Sequence, residues 1–249
     1  MEDNIRTNTL KQKKYAIIVA GGTGSRMESD LPKQFLLLGT QPVLMHTIRQ
    51  FSRTASAPEI IVVLHPDMCE YWAERCKAYQ FHIPHQVVIG GQSRFQSVKN
   101  GLETVFAKEK GDLKDVVIAI HDAARPVIDP ALIDQCFTAT ATCGATILAV
   151  SSINSIRVGT TDSSKAKDRA EVWIVQTPQT FTGNILAEAF QQEESAQFTD
   201  DASVVEKLGY PIHILVGDYK NIKITFPEDL QIAQLYLNAQ GLSSTSYNT

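Results

Sequence analysis

The chain has 249 residues, 43% hydrophobic and 20% charged, with a formal net charge of -4. That length suits one large domain with a sizeable core, while the mild acidity excludes broad, sequence-independent binding to nucleic acid. No apolar run reaches the ~18 residues a transmembrane helix needs. The cysteines Cys69, Cys76, Cys136 and Cys143 form no Cys-x-x-Cys pair and have no histidine at zinc-finger spacing. They read as small buried apolar residues in a reducing cytoplasm.

Residues 1–14 are polar and lack the apolar centre of a secretory signal, so they read as a mobile extension. Tyr15 to Val19 is short and β-branched enough to be a buried strand. A glycine-rich loop follows, from Ala20 to Lys33. Gly21, Gly22 and Gly24 let backbone N–H groups approach a ligand, and Arg26 and Lys33 add positive charge, a combination suited to a polyphosphate. It is not a P-loop, because no Gly-Lys-Ser/Thr closes it. It is not the dinucleotide fingerprint either, because Met27 stands where the third glycine belongs. On the glycines alone, a plain strand-to-helix turn with two solvated charges remains open.

Helices are predicted over Pro42–Ser52, Pro66–Gln80, Ser93–Lys108 and Pro130–Thr142. The third is strongly periodic, with Val98, Leu102, Val105 and Phe106 on one face. Strands are predicted at Glu59–Leu64, Val87–Ile89, Asp115–Ile120 and Ala145–Val150. Residues 151–172 are polar and too long for an ordinary connection; alternation around Asn154–Val158 suggests a projecting hairpin, with a disordered insertion as the alternative. Trp173-Ile174-Val175 returns to the body. Further helices are expected at Gly183–Gln192, Thr199–Leu208 and Pro227–Asn238, with Thr199 as an N-cap. Late strands are expected at Pro211–Val216 and Ile222–Thr225. The tail from Gly241 to Thr249 reads as frayed.

Strands alternating with helices predict an α/β, Rossmann-like fold: a mostly parallel sheet with helices on both faces, plus a projecting β-arm. Residues 15–240 form a single domain in this reading. Ligands of such sheets sit beyond the carboxyl ends of the strands. The glycine loop, Gly90-Gly91 and His121-Asp122 all fall there.

Asp122, directly after a strand, can bind a divalent cation or a substrate hydroxyl, and Arg125 can pair with it or with phosphate. Mg²⁺ is expected, since it usually binds through one or two carboxylates plus substrate phosphates. His121 reads as structural. The glycines of Gly90-Gly91 could expose backbone groups to a base edge, with Arg94 and Ser97 on one side of the following helix; a plain turn capped by Ser93 is the alternative. Arg169 and Lys223 are cations near element ends and, taken singly, read as solvated.

Five segments carry a resemblance: the glycine loop with Arg26 and Lys33, the Gly91/Arg94/Ser97 run, His-Asp-Ala-Ala-Arg-Pro from His121, Gln176-Thr177-Pro178-Gln179, and Asn221-Ile222-Lys223-Ile224-Thr225 with Pro227-Glu228-Asp229-Leu230. In this order and spacing, from about Tyr15 to Leu237, the chain resembles the 2-C-methyl-D-erythritol 4-phosphate cytidylyltransferases. The resemblance implies transfer of the cytidylyl group of CTP to methylerythritol phosphate in non-mevalonate isoprenoid synthesis. It implies that Arg26 and Lys33 stabilise the α-phosphoryl group. Ala20, Gly21, Gly22, Gly91, Gln92, Arg94, Ser97, Asp122 and Ala123 would line the CTP site. Arg169 and Lys223, with Thr199, Ser155 and Asp122, would position the second substrate. The stretch 151–172 would be an arm that embraces a second subunit, giving a homodimer. Two departures stand out: Asn154-Ser155 replaces the family's Asp-Thr, and Gln92 stands where an acidic residue is common. A ribitol 5-phosphate cytidylyltransferase is the alternative enzyme, and a non-catalytic nucleotide-binding module the alternative of another class.

Overall fold

A computed structural model describes residues 12–21, 31–239 and 241. Gly22, Gly24 and Arg26 lie outside the described residues, as do 1–11 and 242–249. The strands are β1 (Lys13–Ala20), β2 (Leu37–Leu38), β3 (Gln41–Pro42), β4 (Glu59–Leu64), β5 (Gln86–Ile89), β6 (Val116–Asp122), β7 (Ala145–Ser151), β8 (Ile156–Gly159), β9 (Ser164–Lys167), β10 (Trp173–Thr182) and β11 (His213–Val216). The helices are α1 (Val43–Ser52), α2 (Cys69–Ala78), α3 (Arg94–Lys108), α4 (Pro130–Cys143), α5 (Gly183–Ala189), α6 (Asp201–Glu206) and α7 (Pro227–Ala239).

Strand β1 organises the rest. Its successive residues Ala16, Ile17 and Ile18 are all fully buried, as expected of a strand covered on both faces. Ile17 pairs with Ile61 of β4 on one side and Ile120 of β6 on the other, both in parallel. The seven-stranded sheet runs β11-β7-β10-β6-β1-β4-β5. The fold is Rossmann-like α/β, and β10 alone runs antiparallel, between β6 and β7.

Alternation along β1 splits the core in two. Ala16, Ile18 and Ala20 face α1, α2 and α4 through Leu44, Ile48, Phe51, Trp72 and Phe137. Tyr15 and Ile17 face α3, α5 and α6 through Val98, Leu102, Val105, Leu186 and Val205. A third cluster packs α7 against Val43, Ala124 and Val127. Each large apolar side chain so buried contributes about 1.5–3 kcal/mol.

Several expectations change. Lys13 and Lys14 belong to β1, not to an extension. Pro66–Met68 is a separate 3-10 turn before α2. β6 runs on to Asp122, so His121 and Asp122 end the strand rather than follow it. Trp173-Ile174-Val175 opens a ten-residue strand that also contains Gln176 to Gln179. Ile222–Thr225 forms no strand: its alternation reflects Ile224 buried against α7, and the segment is tied to the body by one backbone bond, Ile224 N–H to the Ala124 carbonyl at 2.9 Å. β8 and β9 pair only with each other, as an antiparallel hairpin apart from the main sheet.

Candidate active site

Two glycine-bearing segments meet at the carboxyl end of β1. The side chain of buried Gln34 donates to the Ala20 carbonyl at 2.7 Å, which sets the 3-10 turn Lys33–Phe35 against the end of the strand. Across from it, the buried Ser97 hydroxyl accepts from the Gly91 N–H at 3.1 Å. A Cβ at Gly21 would stand 3.3 Å from that hydroxyl, and one at Gly90 only 2.9 Å. The glycine loop and the Gly90-Gly91 turn therefore close on a single side chain. Gln92 is exposed, its N–H donating to Gln96 Oε1 at 3.0 Å. Ser93 caps α3, accepting from Gln96 N–H at 3.1 Å.

Asp122 ends β6 nearby and meets three cations. Lys223 Nζ lies 2.9 Å from Oδ2, Arg125 Nε 3.5 Å from Oδ2, and Arg94 Nη2 3.8 Å from Oδ1. Burial would raise the Asp122 pKa, but Lys223 and then Arg94 and Arg125 outweigh it and hold the carboxyl well below its ordinary value. These side chains line a cavity of about 310 Å³, together with Thr177, Gln179, Thr199 and Asp200. Ala123, next to Asp122, is buried, and its N–H donates to the Val19 carbonyl at 3.0 Å.

β10 supplies the floor. Its pairing with β7 is interrupted between Val175 and Gln179, where Pro178 offers no N–H and the Thr177–Pro178 peptide is cis. Thr177 Oγ1 accepts from the Asp122 N–H at 3.0 Å and reaches His121 Nδ1 at 3.0 Å. His121 Nε2 meets the Arg125 carbonyl at 3.2 Å. The Arg125 carbonyl can only accept, so Nε2 carries a proton; in the neutral ring Thr177 then donates to Nδ1. Burial lowers the His121 pKa to about 4, in keeping with that tautomer. His121 is thus structural, as its residue type suggested.

The wall on the far side is α6. Arg94 forms a two-pronged pair with buried Asp201, both bonds 2.7 Å. Burial pulls the Arg94 pKa down, but Asp201 and Asp122 prevail and raise it. Gln179 donates to Asp200 Oδ2 and accepts from the Ala202 N–H, each at 2.8 Å. Thr199 lines the cavity but does not cap the helix. Asp200 does, in a reciprocal capping box with Ser203.

Arg169 and Ser155 are not brought to this cavity. Both are exposed at the base of the hairpin, where Arg169 Nη1 donates to the Ile153 carbonyl at 3.1 Å.

Residues 15–239 match the family model for 2-C-methyl-D-erythritol 4-phosphate cytidylyltransferase. The chain belongs to the 2-C-methyl-D-erythritol 4-phosphate cytidylyltransferase family. Relatives bearing that name include a Porphyromonas gingivalis protein, 45% identical over 92% of this chain and 100% of its own length. One from Bacteroides thetaiotaomicron is 42% identical over 90% of this chain and 100% of its own. Among solved structures, the Francisella tularensis cytidylyltransferase aligns with a TM-score of 0.73 at 30% identity, covering 90% of this chain and all of the other. The Thermus thermophilus cytidylyltransferase aligns at 0.71 and 26%, covering 91% and 99%.

Gln179 and Asn221 stand in segments that carry the resemblance, which assigns neither a role, and no sequence motif places Asp201 in the site; all three are buried and organise it. The available signal was a polar run, Gln176 to Gln179, inside a strand and broken by proline, which buried β-strands do not normally tolerate.

The donor set limits how a divalent cation could bind. Among the described residues no group of three His, Cys, Asp or Glu side chains could hold a metal ion. Of the two carboxylates lining the cavity, Asp200 is engaged by Gln179 and the α6 cap, and Asp122 is surrounded by Lys223, Arg94 and Arg125. The residues fit a cation that arrives with the phosphates of a nucleotide, with Asp122 as its one protein carboxylate.

Proposed function

We propose that the chain transfers the cytidylyl group of CTP to 2-C-methyl-D-erythritol 4-phosphate, releasing pyrophosphate, as a nucleotidyltransferase of non-mevalonate isoprenoid synthesis. The observation that carries this reading is the meeting of Lys223, Arg94 and Arg125 at Asp122, in a cavity beside the glycine-lined end of β1. Cations gathered at the carboxyl ends of parallel strands suit two phosphate-bearing substrates.

The attacking group is itself an anion, the phosphate of the polyol. One of its oxygens forms a bond to the α-phosphorus of CTP while the bond to the bridging oxygen of pyrophosphate breaks. No proton has to be removed from the nucleophile, so charge neutralisation and alignment supply the acceleration. That is consistent with His121, which is neutral, buried and committed at both nitrogens.

In this reading Lys33, with Arg26 outside the described residues, stabilises charge building on the α-phosphoryl oxygens. Ala20, Gly21 and Gly22, with Gly91, Gln92 and Ser97, receive the nucleotide; the shared Ser97 hydroxyl supports this by drawing the two turns together. Arg94 and Ala123 complete that side. Asp122 faces both substrates, and Lys223 and Thr199 face the polyol phosphate. A divalent cation, when bound with the triphosphate, would offset charge on the departing pyrophosphate.

Arg169 and Ser155 enter the site from a second copy. A hairpin paired only with itself cannot bury its own faces, and Ile153, Val158, Ile174 and Val216 are 68%, 62%, 51% and 64% exposed. Trp173, Val175 and Val216 align in the rows of Ser151 and Ala149, an apolar strip at the sheet edge beside the hairpin. A homodimer through residues 151–172 would cover both surfaces. The four cysteines carry no disulfide, which suits a cytoplasmic enzyme.

The test is pyrophosphate release from CTP, with methylerythritol phosphate and ribitol 5-phosphate compared side by side. Turnover with the former is expected. Preference for ribitol 5-phosphate would reassign the substrate, and CTP binding without turnover on either would indicate a nucleotide-binding module.

A further inference from the structure

Lys223 sits on a segment that has no ladder to hold it. Residues 221–225 form no strand, and Lys223 is exposed, its ammonium resting on Asp122 at 2.9 Å. A long, flexible side chain on an unpaired backbone has no defined position unless its neighbours supply one. Ile224, on one side, is buried and its N–H donates to the Ala124 carbonyl at 2.9 Å. The other anchor is Asn221, only 1% exposed.

Asn221 is tied in three directions. Its Nδ2 donates to the Thr177 carbonyl at 2.9 Å and to Gln176 Oε1 at 3.3 Å. Its own carbonyl accepts from Arg125 Nη1 at 2.8 Å. Thr177 is the residue whose hydroxyl accepts from the Asp122 N–H. One residue of β10 therefore holds the backbone of Asp122 directly and that of Lys223 through Asn221. The separation of the ammonium from the carboxylate is set by this shared support.

We propose that Asn221 is a positioning residue for the transfer: it acts through Lys223, holding the ammonium where the attacking phosphate docks. The inference deepens the proposed function and rests on its reading of Lys223. Asn221 does not meet either substrate.

The test is a double-variant cycle of Asn221→Ala and Lys223→Ala, with calorimetric CTP affinity measured beside KM for methylerythritol phosphate. Losing the buried amide is expected to raise KM for the polyol phosphate about tenfold, with CTP affinity within about twofold of the parent. In the Lys223→Ala background the same change is expected to add less than about twofold, because the residue through which it acts is gone. An equal effect in both backgrounds, or no effect on KM, would overturn the role of Asn221 while Lys223 stands. No effect of Lys223→Ala itself on KM would overturn the phosphate reading of Lys223, and the inference with it. If Asn221→Ala fails to bind CTP, Asn221→Ser is measured in the same cycle; loss of CTP binding there too would make Asn221 a residue of general stability and overturn the proposal.

Discussion

Arg94 and Asp201 stand 107 positions apart in the chain and meet through two parallel 2.7 Å hydrogen bonds. Asp201 is almost wholly buried and Arg94 about a third exposed. The pair joins α3, which follows the Gly90-Gly91 turn, to α6, which follows Thr199. It also leaves Arg94 Nη2 within 3.8 Å of Asp122. The guanidinium expected to serve the nucleotide thus spans the two halves of the site.

Removing one partner of a buried pair strands the other. Asp201→Ala should therefore destabilise the protein by about 2 kcal/mol, less than the ~3–5 kcal/mol of a fully buried pair because solvent partly screens Arg94. A urea unfolding curve reads this as a lower midpoint at unchanged slope. An unchanged midpoint would mean the pair contributes no net stability.

Lys33 follows Pro32 in a turn pinned to the end of β1 by Gln34. Lys33→Ala is expected to lower kcat by roughly 10²–10³, about 3–4 kcal/mol, the scale of losing one donor to a developing oxyanion. Steady-state kinetics at saturating CTP decides it. A variant with parental kcat would remove Lys33 from catalysis.

The hairpin prediction concerns assembly. Deleting Asn154 to Lys165 should convert a dimer to monomer in light scattering and abolish pyrophosphate release, since Ser155 and the docking of Arg169 go with it. A deletion protein that remains dimeric and active would sink the arm's assigned role.

Stability should fall in acid for a reason seated on α1. Burial lowers the pKa of His46 to about 4, although its Nε2 bonds the Leu38 carbonyl at 2.9 Å. Its unfolded value is about 6.5. Below that value the unfolded chain binds a proton that the folded chain refuses. The contribution of neutral His46 is thus complete above pH ~6.5 and is lost as pH falls toward 4. Melting temperature followed from pH 7 to 4 should drop less steeply in His46→Gln than in the parent. Equal slopes would show that other groups govern this window.

The sequence by itself determined the order of elements, the buried character of β1 and the motifs that belong at strand ends. These are local: a β-branched run, helical spacing and a serine before a helix act through neighbours within a few positions. It also pointed to Lys33, Ser97 and Asp122 through glycines and strand ends, whereas Lys223 read as solvated and gained a role only through the family resemblance. What it could not convey was partnership. Ile222–Thr225 alternates like a strand, yet it joins no sheet: Asn221 is held by Gln176, Thr177 and Arg125, and Ile224 by the Ala124 carbonyl. Thr199 looks like a cap until Asp200 meets Ser203. Nothing local assigns Gln179 or Asp201 a partner; the structure gives Gln179 of β10 to the Ala202 N–H of α6, and Asp201 of α6 to Arg94 of α3. Only the tertiary structure could decide these points. Each depends on which distant chemical group satisfies a buried donor or charge, and that partner is chosen by the packing of the whole sheet rather than by any local stretch.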